Sequence, residues 1–463
     1  MNLDYAENII KAKIEQDIYE IAEKFFNSGY KLYLVGGIIR DNLLNIDISG
    51  KESDLATDAT PEEIKRIFRK GVIPTGIKHG TVTLIYKDKN YEITTFRIEG
   101  KYSDGRRPDE VKYAKTIYED LSRRDFTINA LAFDLKSKKL IDNFNGLADL
   151  ENKIIRTIGD PDKRFREDGL RLIRAIRFAT TLGFTIEEKT FKSIVKNIDM
   201  IKSVSFERIR DEFVKILGAE KPSIGIELLR KTEILRLIIP ELLLGFGVVQ
   251  NKFHKYSIYY HNIYSCDYAP KDNLVVRLAA LFHDIAKPHT KKIPEDREND
   301  EATFYNHEVL GTILAKRILK RLKFSNEIIE KVLNLIRNHM FYYTEEWTDS
   351  AVRRFIRKVG LDNIEDIFKL READRLASGI RSENSYHLEL LKKHINKILE
   401  EENAFSIRDL KVNGYDVMEI KKIPPSPLVG KILNYLFEIV LNDPSKNERE
   451  TLLKLIKEYK IQE

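Results

Sequence analysis

"YKLYLVGGIIRDNLL", residues 30–44, is the stretch from which the fold of the N-terminal region is read. Apolar, β-branched and aromatic residues run up to a double glycine, Gly36 and Gly37, and "RDNLL" resumes with helical spacing. That order predicts a strand, a glycine turn and a helix. Downstream, "KESDLATDAT" (51–60) reads as a second strand with Glu52 and Asp54 one residue apart. Alternate residues of a strand share a face, so the two acids could hold a divalent cation together, although a water-facing strand would carry the same pattern.

The same reading extends to about residue 150. "TPEEIKRIF" predicts a helix with Thr60 as cap, Pro61 first inside and Glu63 at the third position. "GTVTLIY" and "YEITTFRI" predict a hairpin joined by "KDKN". "KYSDGRRPDEV" is polar with Gly and Pro and reads as a loop, and "TINALAFDL" and "KKLIDNF" close a mixed α/β unit. Beyond it, "DGLRLIRAIRFATTL", "FERIRDEFVKIL", "NLVVRLAALFHDIA", "LGTILAKRILKRL" and "NEIIEKVLNLIRNHM" space apolar residues by three and four, so the rest is expected to be helical. Residues 290–303 read as a charged loop, and "KKIPPSPLVG" (421–430) as a Pro-rich turn.

Composition bounds the partners. The chain has 463 residues, enough for about two to four compact units. No apolar run approaches a membrane span, and the start, "MNLDYAENIIKAKIEQDIYEIAEKFF", reads as one amphipathic helix rather than a signal peptide. A single cysteine, Cys266, excludes an internal disulfide framework and suits a reducing cytoplasm; it reads as a passive residue. The net charge of +6 permits an anionic partner without requiring one.

The double glycine acquires chemistry from its company. Bare backbone at Gly36 and Gly37 lets a phosphate approach, and Arg40, Glu52, Asp54 and Glu92 on the neighbouring strand would add a cation and three carboxylates beside it. Carboxylates around Mg²⁺ ions are what in-line nucleotidyl transfer requires.

With these motifs the chain resembles the class II tRNA nucleotidyltransferases (CCA-adding enzymes) and their bacterial poly(A) polymerase relatives. The likeness runs in order through "YLVGGIIRDNLL", "ESDLATDATPEE", "TGIKHGTVTL", "YEITTFRIEGKYSDGRRPDEV", "LSRRDFTINALAFD" and "FREDGLRLIRAIRFATTLGF". The resemblance implies that Gly37 and Arg40 contact the triphosphate, that Glu52 and Asp54 hold Mg²⁺ with Glu92 as a third carboxylate, and that Arg124 and Asp125 of "RRDFTINA" belong to the nucleotide site. The chain departs from the family at Glu52 and Ser53, where the pattern normally has Asp and an apolar or aromatic residue. The loop "RIEGKYSDGRRPDEV" looks full length, whereas members that add only the two cytidines tend to have it shortened, which favours completion of CCA.

On a helix, Glu167, Asp168, Arg171, Arg174 and Arg177 recur at three and four spacing, as a solvated charge face also would. Aspartate only accepts hydrogen bonds and arginine only donates them, so Asp168 and Arg171 together match the amino donor and ring-nitrogen acceptor shared by cytosine and adenine. Guanine and uracil present the reversed pattern. The resemblance implies this role for the pair, and a phosphate-facing role for Arg174 and Arg177.

His261, His283 with Asp284, His307, His339 and Asp374 follow the order H, HD, H, H, D and resemble the HD phosphohydrolases, in which such groups hold one or two metal ions. Imidazole suits Ni²⁺, Mn²⁺ or Fe²⁺, and hydrolysis of phosphate ends of RNA would follow. "AKRILKRLKF", "RRFIRK" and "READRLASGIRSE" could follow phosphates, and "FSIRDLKVNGYDVMEIKKIPPSPLVGKILNYLFEIVLNDP" resembles the family's tRNA-binding tail, with Pro425 and Ser426 displacing an expected Gly-Pro pair.

The expectation is an α+β protein. A nucleotidyltransferase head (1–150) precedes a helical neck with the nucleobase-recognition helix (151–245), a helical HD body (246–385) and a tRNA-binding tail (386–463). It would add C, C and A to the tRNA 3′ end from CTP and ATP with Mg²⁺, in the cytoplasm. The alternatives are a poly(A) polymerase or A-adding enzyme, and an RNA-end phosphohydrolase working through the HD body with a vestigial head.

Overall fold

The computed structural model describes residues 2–48, 53–76, 80–99, 111–293, 301–379, 384–400 and 407–460. The chain forms two compact units, Met1–Pro240 and Glu241–Glu463.

The first unit opens with two helices, α1 (Leu3–Lys13) and α2 (Gln16–Asn27). The single amphipathic helix expected at the start is therefore broken, because Ile14 and Glu15 take extended backbone at the cap positions between the two segments. Strand β1 (Leu32–Val35) runs into Gly36 and helix α3 (Gly37–Leu43), as the opening motif predicts. Strand β2 (Ser53–Thr57), helix α4 (Pro61–Phe68) and strands β3 (Val72–Gly76), β4 (Thr81–Tyr86) and β5 (Lys89–Thr95) follow. After the short pair β6 (Arg97–Glu99) and β7 (Val111–Tyr113) come α5 (Ile117–Ser122), β8 (Leu131–Asp134), β9 (Lys139–Asp142) and α6 (Gly146–Glu151).

Seven strands make one sheet in the order β3-β4-β5-β2-β1-β8-β9. Its neighbours are antiparallel except β2 and β5, whose parallel register sets Asp54 opposite Glu92. The hairpin between β4 and β5 is tighter than expected. Tyr86 pairs with Lys89, and only Lys87 and Asp88 turn, both at positive φ (50° and 62°), the geometry that matches strand twist. Strand β3 escapes the sequence pattern because it carries Pro74, which an edge strand tolerates and an interior strand does not.

Helix α4 begins with the predicted capping box. Thr60 Oγ1 accepts from the Glu63 amide at 3.4 Å, and the Thr60 amide donates to Glu63 Oε2 at 2.7 Å. Thr60→Ala removes one of these bonds and is expected to cost the helix about 1 kcal/mol. Amide exchange across residues 61–68 should then quicken roughly five-fold, and an unchanged rate would show the cap to be dispensable.

Helices α7 (Pro161–Glu167), α8 (Leu170–Leu182), α9 (Glu188–Lys196) and α10 (Phe206–Leu217) complete the part of this unit that bears on the site. The expectation that "EDGLRLIRAIRF" is one helix is corrected here. Asp168 has extended backbone (φ −149°, ψ 110°), and the chain restarts as α8 after Gly169. A Cβ at Gly169 would lie 2.2 Å from the Met200 carbonyl oxygen, so close packing against the backbone requires glycine at this break.

The second unit is helical among its described residues, apart from an isolated bridge between Lys292 and Thr303. Its segments include Ile258–Tyr268, Leu274–Phe282, His307–Arg321, Asn326–Asn338 and Ile364–Ala377. Toward the C-terminus, Gly414–Lys421, Pro427–Asn442 and Arg449–Glu458 bury Val417, Ile432, Leu436, Phe437, Val440 and Leu452 in a core of their own. No helix among the described residues is long and apolar enough to cross a membrane. Cys266 is buried, and burial pushes its thiol up to about 12, so it is held as an inert thiol.

Candidate active site

The sheet presents Asp54 and Glu92 side by side because equal register on parallel strands turns both side chains to one face. Above them lies a cavity of about 470 Å³. Its described lining carries eight arginine side chains against four carboxylates, Asp54, Glu92, Asp125 and Asp168. Such an excess of guanidinium charge beside an acid pair fits a polyanion carried with a hard cation. A larger cavity of about 810 Å³, lined by Ile14, Ile18, Leu34, Ile38, Ile46 and Tyr91 among others, has no arginine among its described lining residues. The smaller cavity is the one that combines the acid pair with clustered arginines.

Gly36 earns its place at the turn twice. Its φ is +77°, and a Cβ there would meet Arg124 Nη1 at 2.7 Å and Asp54 Oδ2 at 3.6 Å. Glycine thus lets the backbone pass between the base of the acid pair and an arginine. Gly37 opens α3, where a Cβ would touch Arg40 Nη2 at 3.4 Å. Arg40 is held by Asp41 (Nε and Nη2 to Oδ1, 2.8 and 2.7 Å) and by Asn129 Oδ1 at 2.6 Å. Arg124 donates to Asn129 O and to Asp120 Oδ2, both at 3.4 Å.

Asp125 is buried among cations. Burial alone would raise its pKa, but Arg174, the Asn129 amide and Arg171 outweigh that and hold it at about 2. Arg174 pairs with Asp125 Oδ2 at 2.6 Å, and Arg177 Nε donates to Glu212 Oε2 at 2.9 Å. Both arginines line the cavity.

Asp168 and Arg171 also line it, but each is first bound elsewhere. Arg171 donates to Glu167 Oε2 at 2.6 Å and to the carbonyls of Arg164 and Arg123, both at 3.2 Å. Asp168 takes a two-pronged ion pair from Arg208 of α10, at 2.7 and 3.2 Å, and its Oδ1 accepts from the Leu170 amide at 3.0 Å. Arg208 and Glu212 were missed by sequence reading, since "FERIRDEF" shows only an amphipathic helix and nothing in it announces an ion pair across 40 residues. Glu52, the other metal candidate, lies outside the described residues, as do residues 100–110, on which most of the sequence-predicted loop falls.

The second unit gathers all six of its predicted histidines and aspartates. His261 Nε2 lies 3.1 Å from His283 Nε2, and His307 Nε2 lies 3.3 Å from His339 Nε2. Asp284 sits between them, its oxygens 3.2–3.4 Å from His261, His283 and His307, while Asp374 Oδ1 is 3.1 Å from His261. Three imidazoles are turned alike. Nδ1 of His283, His307 and His339 meets the carbonyl three residues earlier, of Ala280, Phe304 and Ile336, at 2.7–2.8 Å. With Nδ1 donating there, a neutral ring turns the Nε2 lone pair inward, as a metal ligand needs. Two neighbours were not foreseen. His254 joins His261 and Asp374 within ligand distance, and Lys287 Nζ lies 2.6 Å from Asp284 Oδ2.

A glycine turn, paired acids on one sheet face and an arginine-lined cavity define the class of nucleotidyltransferases. The comparisons agree. Residues 32–156 match the Poly A polymerase head domain, 183–244 the RNA and SrmB-binding site of polymerase A, and 309–456 tRNA nucleotidyltransferase domain 2. The CCA-adding enzyme of Pediococcus pentosaceus is 31% identical over 451 residues, covering 95% of this chain and 97% of that one. That of Ligilactobacillus salivarius is 33% identical over 433 residues, covering 94% of each. Among solved structures, the Bacillus stearothermophilus CCA-adding enzyme in complex with CTP superposes with a TM-score of 0.70 at 28% identity, covering 96% of both chains. The chain belongs to the CCA-adding enzyme family of tRNA nucleotidyltransferases.

Proposed function

We propose that this protein adds C, C and A to the 3′ end of tRNA from CTP and ATP, and that the reaction takes place over Asp54. The observation that carries the reading is the register of Asp54 with Glu92 beneath a cavity rich in arginine that also contains Asp168 and Arg171. The tRNA 3′ oxygen forms a bond to the α-phosphorus, the bond to the β-phosphate breaks, and pyrophosphate leaves.

The chain's own groups divide the work. The turn at Gly36 and Gly37 gives the triphosphate bare backbone, with Arg40 and Arg124 beside it. Arg174, paired with Asp125 and Glu212, and Arg177, paired with Glu212, add charge that is not free to swing away. Asp168 accepts the base amino group while Arg171 donates to the ring nitrogen, so C and A fit and U and G leave buried groups unpaired. Asp54 and Glu92, with Glu52 as further candidate, would hold Mg²⁺, which supplies charge neutralisation on the phosphates and a lower pKa for the attacking hydroxyl. Two carboxylates together suit that hard ion.

The test is extension of a tRNA lacking CCA with CTP alone, ATP alone and both. Addition of CC with CTP and of CCA with both is expected. Extension by ATP alone into a long tail would favour a poly(A) polymerase, and no extension with tRNA still bound would point to a vestigial head.

A second reading rests on the inward-facing imidazoles. His261, His283, Asp284, His307, His339 and Asp374 would hold a transition metal such as Ni²⁺, Mn²⁺ or Fe²⁺, and hydrolysis of phosphate ends of RNA would be its chemistry. After chelation and reconstitution, the wild type should retain about one or two equivalents more metal than His283→Ala. Equal metal content would make this bundle a scaffold.

A further inference from the structure

Three guanidinium groups of the nucleotide cavity converge on one aromatic ring. Phe178 lies on α8, is 3% exposed, and lines the cavity. The guanidinium carbon of Arg177 is 3.5 Å from its ring centroid, that of Arg40 5.0 Å and that of Arg174 5.4 Å. Phe126, directly after Asp125, packs edge-on against the same ring at 5.7 Å.

We propose that Phe178 is the positioning residue for triphosphate binding: its ring sets the spacing of Arg40, Arg174 and Arg177 and ties the base-reading helix α8 to the phosphate-side helix α3. The proposal rests on the nucleotidyltransferase reading of this cavity and deepens it.

The physical need comes from crowding. Arg40 pairs with Asp41, Arg177 with Glu212, and Arg174 with Asp125 and, at 3.9 Å, with Glu212 as well. Those partners take N–H edges of the guanidinium and leave its flat faces without a contact that lowers their mutual repulsion. An aromatic ring supplies it, because the negative face of its quadrupole attracts a cation and the apolar surface accepts a weakly hydrated plane. Edges stay available for phosphate oxygens. A leucine fills comparable space but offers no quadrupole.

The ring also joins separate parts of the chain. Asp168 precedes α8, Arg171 lies in its first turn with Phe178 about two turns further on, and Arg40 comes from α3 after the glycine turn. A shift of the ring therefore moves the phosphate side while leaving the base-reading pair on its own anchors, Arg208 and Glu167.

Two measurements test this. Binding of inorganic tripolyphosphate to the full chain, by calorimetry, should weaken about ten-fold in Phe178→Leu, stay near wild type in Phe178→Tyr, and weaken stepwise as fluorines are added to a phenylalanine at position 178. In tRNA extension, KM for CTP and for ATP should rise in parallel by about the same factor in Phe178→Leu, with preference for CTP over UTP retained. Fluorinated proteins that bind tripolyphosphate as tightly as wild type would overturn the proposal, as would leucine and tyrosine variants equally impaired. Fluorination keeps the packing, so a leucine variant that folds poorly leaves the test intact. Tripolyphosphate binding is read without catalysis, so a chain that fails to extend tRNA refutes the function and not the role of the ring.

Discussion

Asp54→Asn ends addition of both C and A, with a rate loss of about 10³-fold, while affinity for tRNA is unchanged. The size follows from where the residue sits. Asp54 is the described carboxylate closest to the glycine turn, 3.6 Å from where a Gly36 Cβ would stand, and it is register-paired with Glu92. Removing its charge breaks the acid pair and leaves Glu92, with Glu52 as the further candidate, to hold a divalent ion among arginines that repel it. Glu92→Gln should cost less, about ten- to a hundred-fold, because Asp54 remains. Rates with saturating CTP and a tRNA ending in its discriminator base decide the matter. A modest loss in Asp54→Asn would mean that the acids on β2 and β5 are not where transfer takes place.

The second large effect concerns choice of base. Asp168→Ala should lower discrimination of CTP over UTP, and of ATP over GTP, by about 10²-fold or more, since a site built to hydrogen-bond a base edge rejects the wrong base through unpaired groups. Arg208 gives the prediction a second arm. A carboxylate has about four acceptor positions, and Arg208 and the Leu170 amide already take three on Asp168, which leaves its remaining lone pair in one direction. Arg208→Ala should keep the acceptor but loosen its aim, so selectivity falls by about ten-fold rather than a hundred. Steady-state kcat/KM with the four nucleotides measures both. Undiminished discrimination in Asp168→Ala removes Asp168 from base reading, and a larger loss in Arg208→Ala than in Asp168→Ala would make Arg208 the reader.

Local signals were legible wherever chemistry lies within a few residues. The strand, turn and helix around Gly36 and the capping box at Thr60 depend on backbone preferences of neighbouring residues and formed as read, and the hairpin of β4 and β5 formed with a turn two residues shorter than read. The H, HD, H, H, D order likewise predicted a cluster that the helices assemble. What periodicity could not show was interruption. Arg and Leu continue at helical spacing across 167–177, so nothing in the pattern reveals that Asp168 leaves the helix. Beside that break, Gly169 packs against the Met200 carbonyl so closely that no side chain would fit, a contact visible only in the folded chain.

By itself, then, the sequence determined the types of side chain available to the site and the local turns that present Gly36, Asp54 and Arg40. The tertiary structure decided which groups hold them in place: Arg208 on Asp168, Glu212 on Arg177, His254 and Lys287 beside the imidazoles, and one phenylalanine ring under three arginines. The division has a physical cause. Propensity and capping act over one or two turns of chain, whereas ion pairs and ring contacts depend on distance in space, and a charged residue on a helix carries no mark of the partner that folding will bring to it.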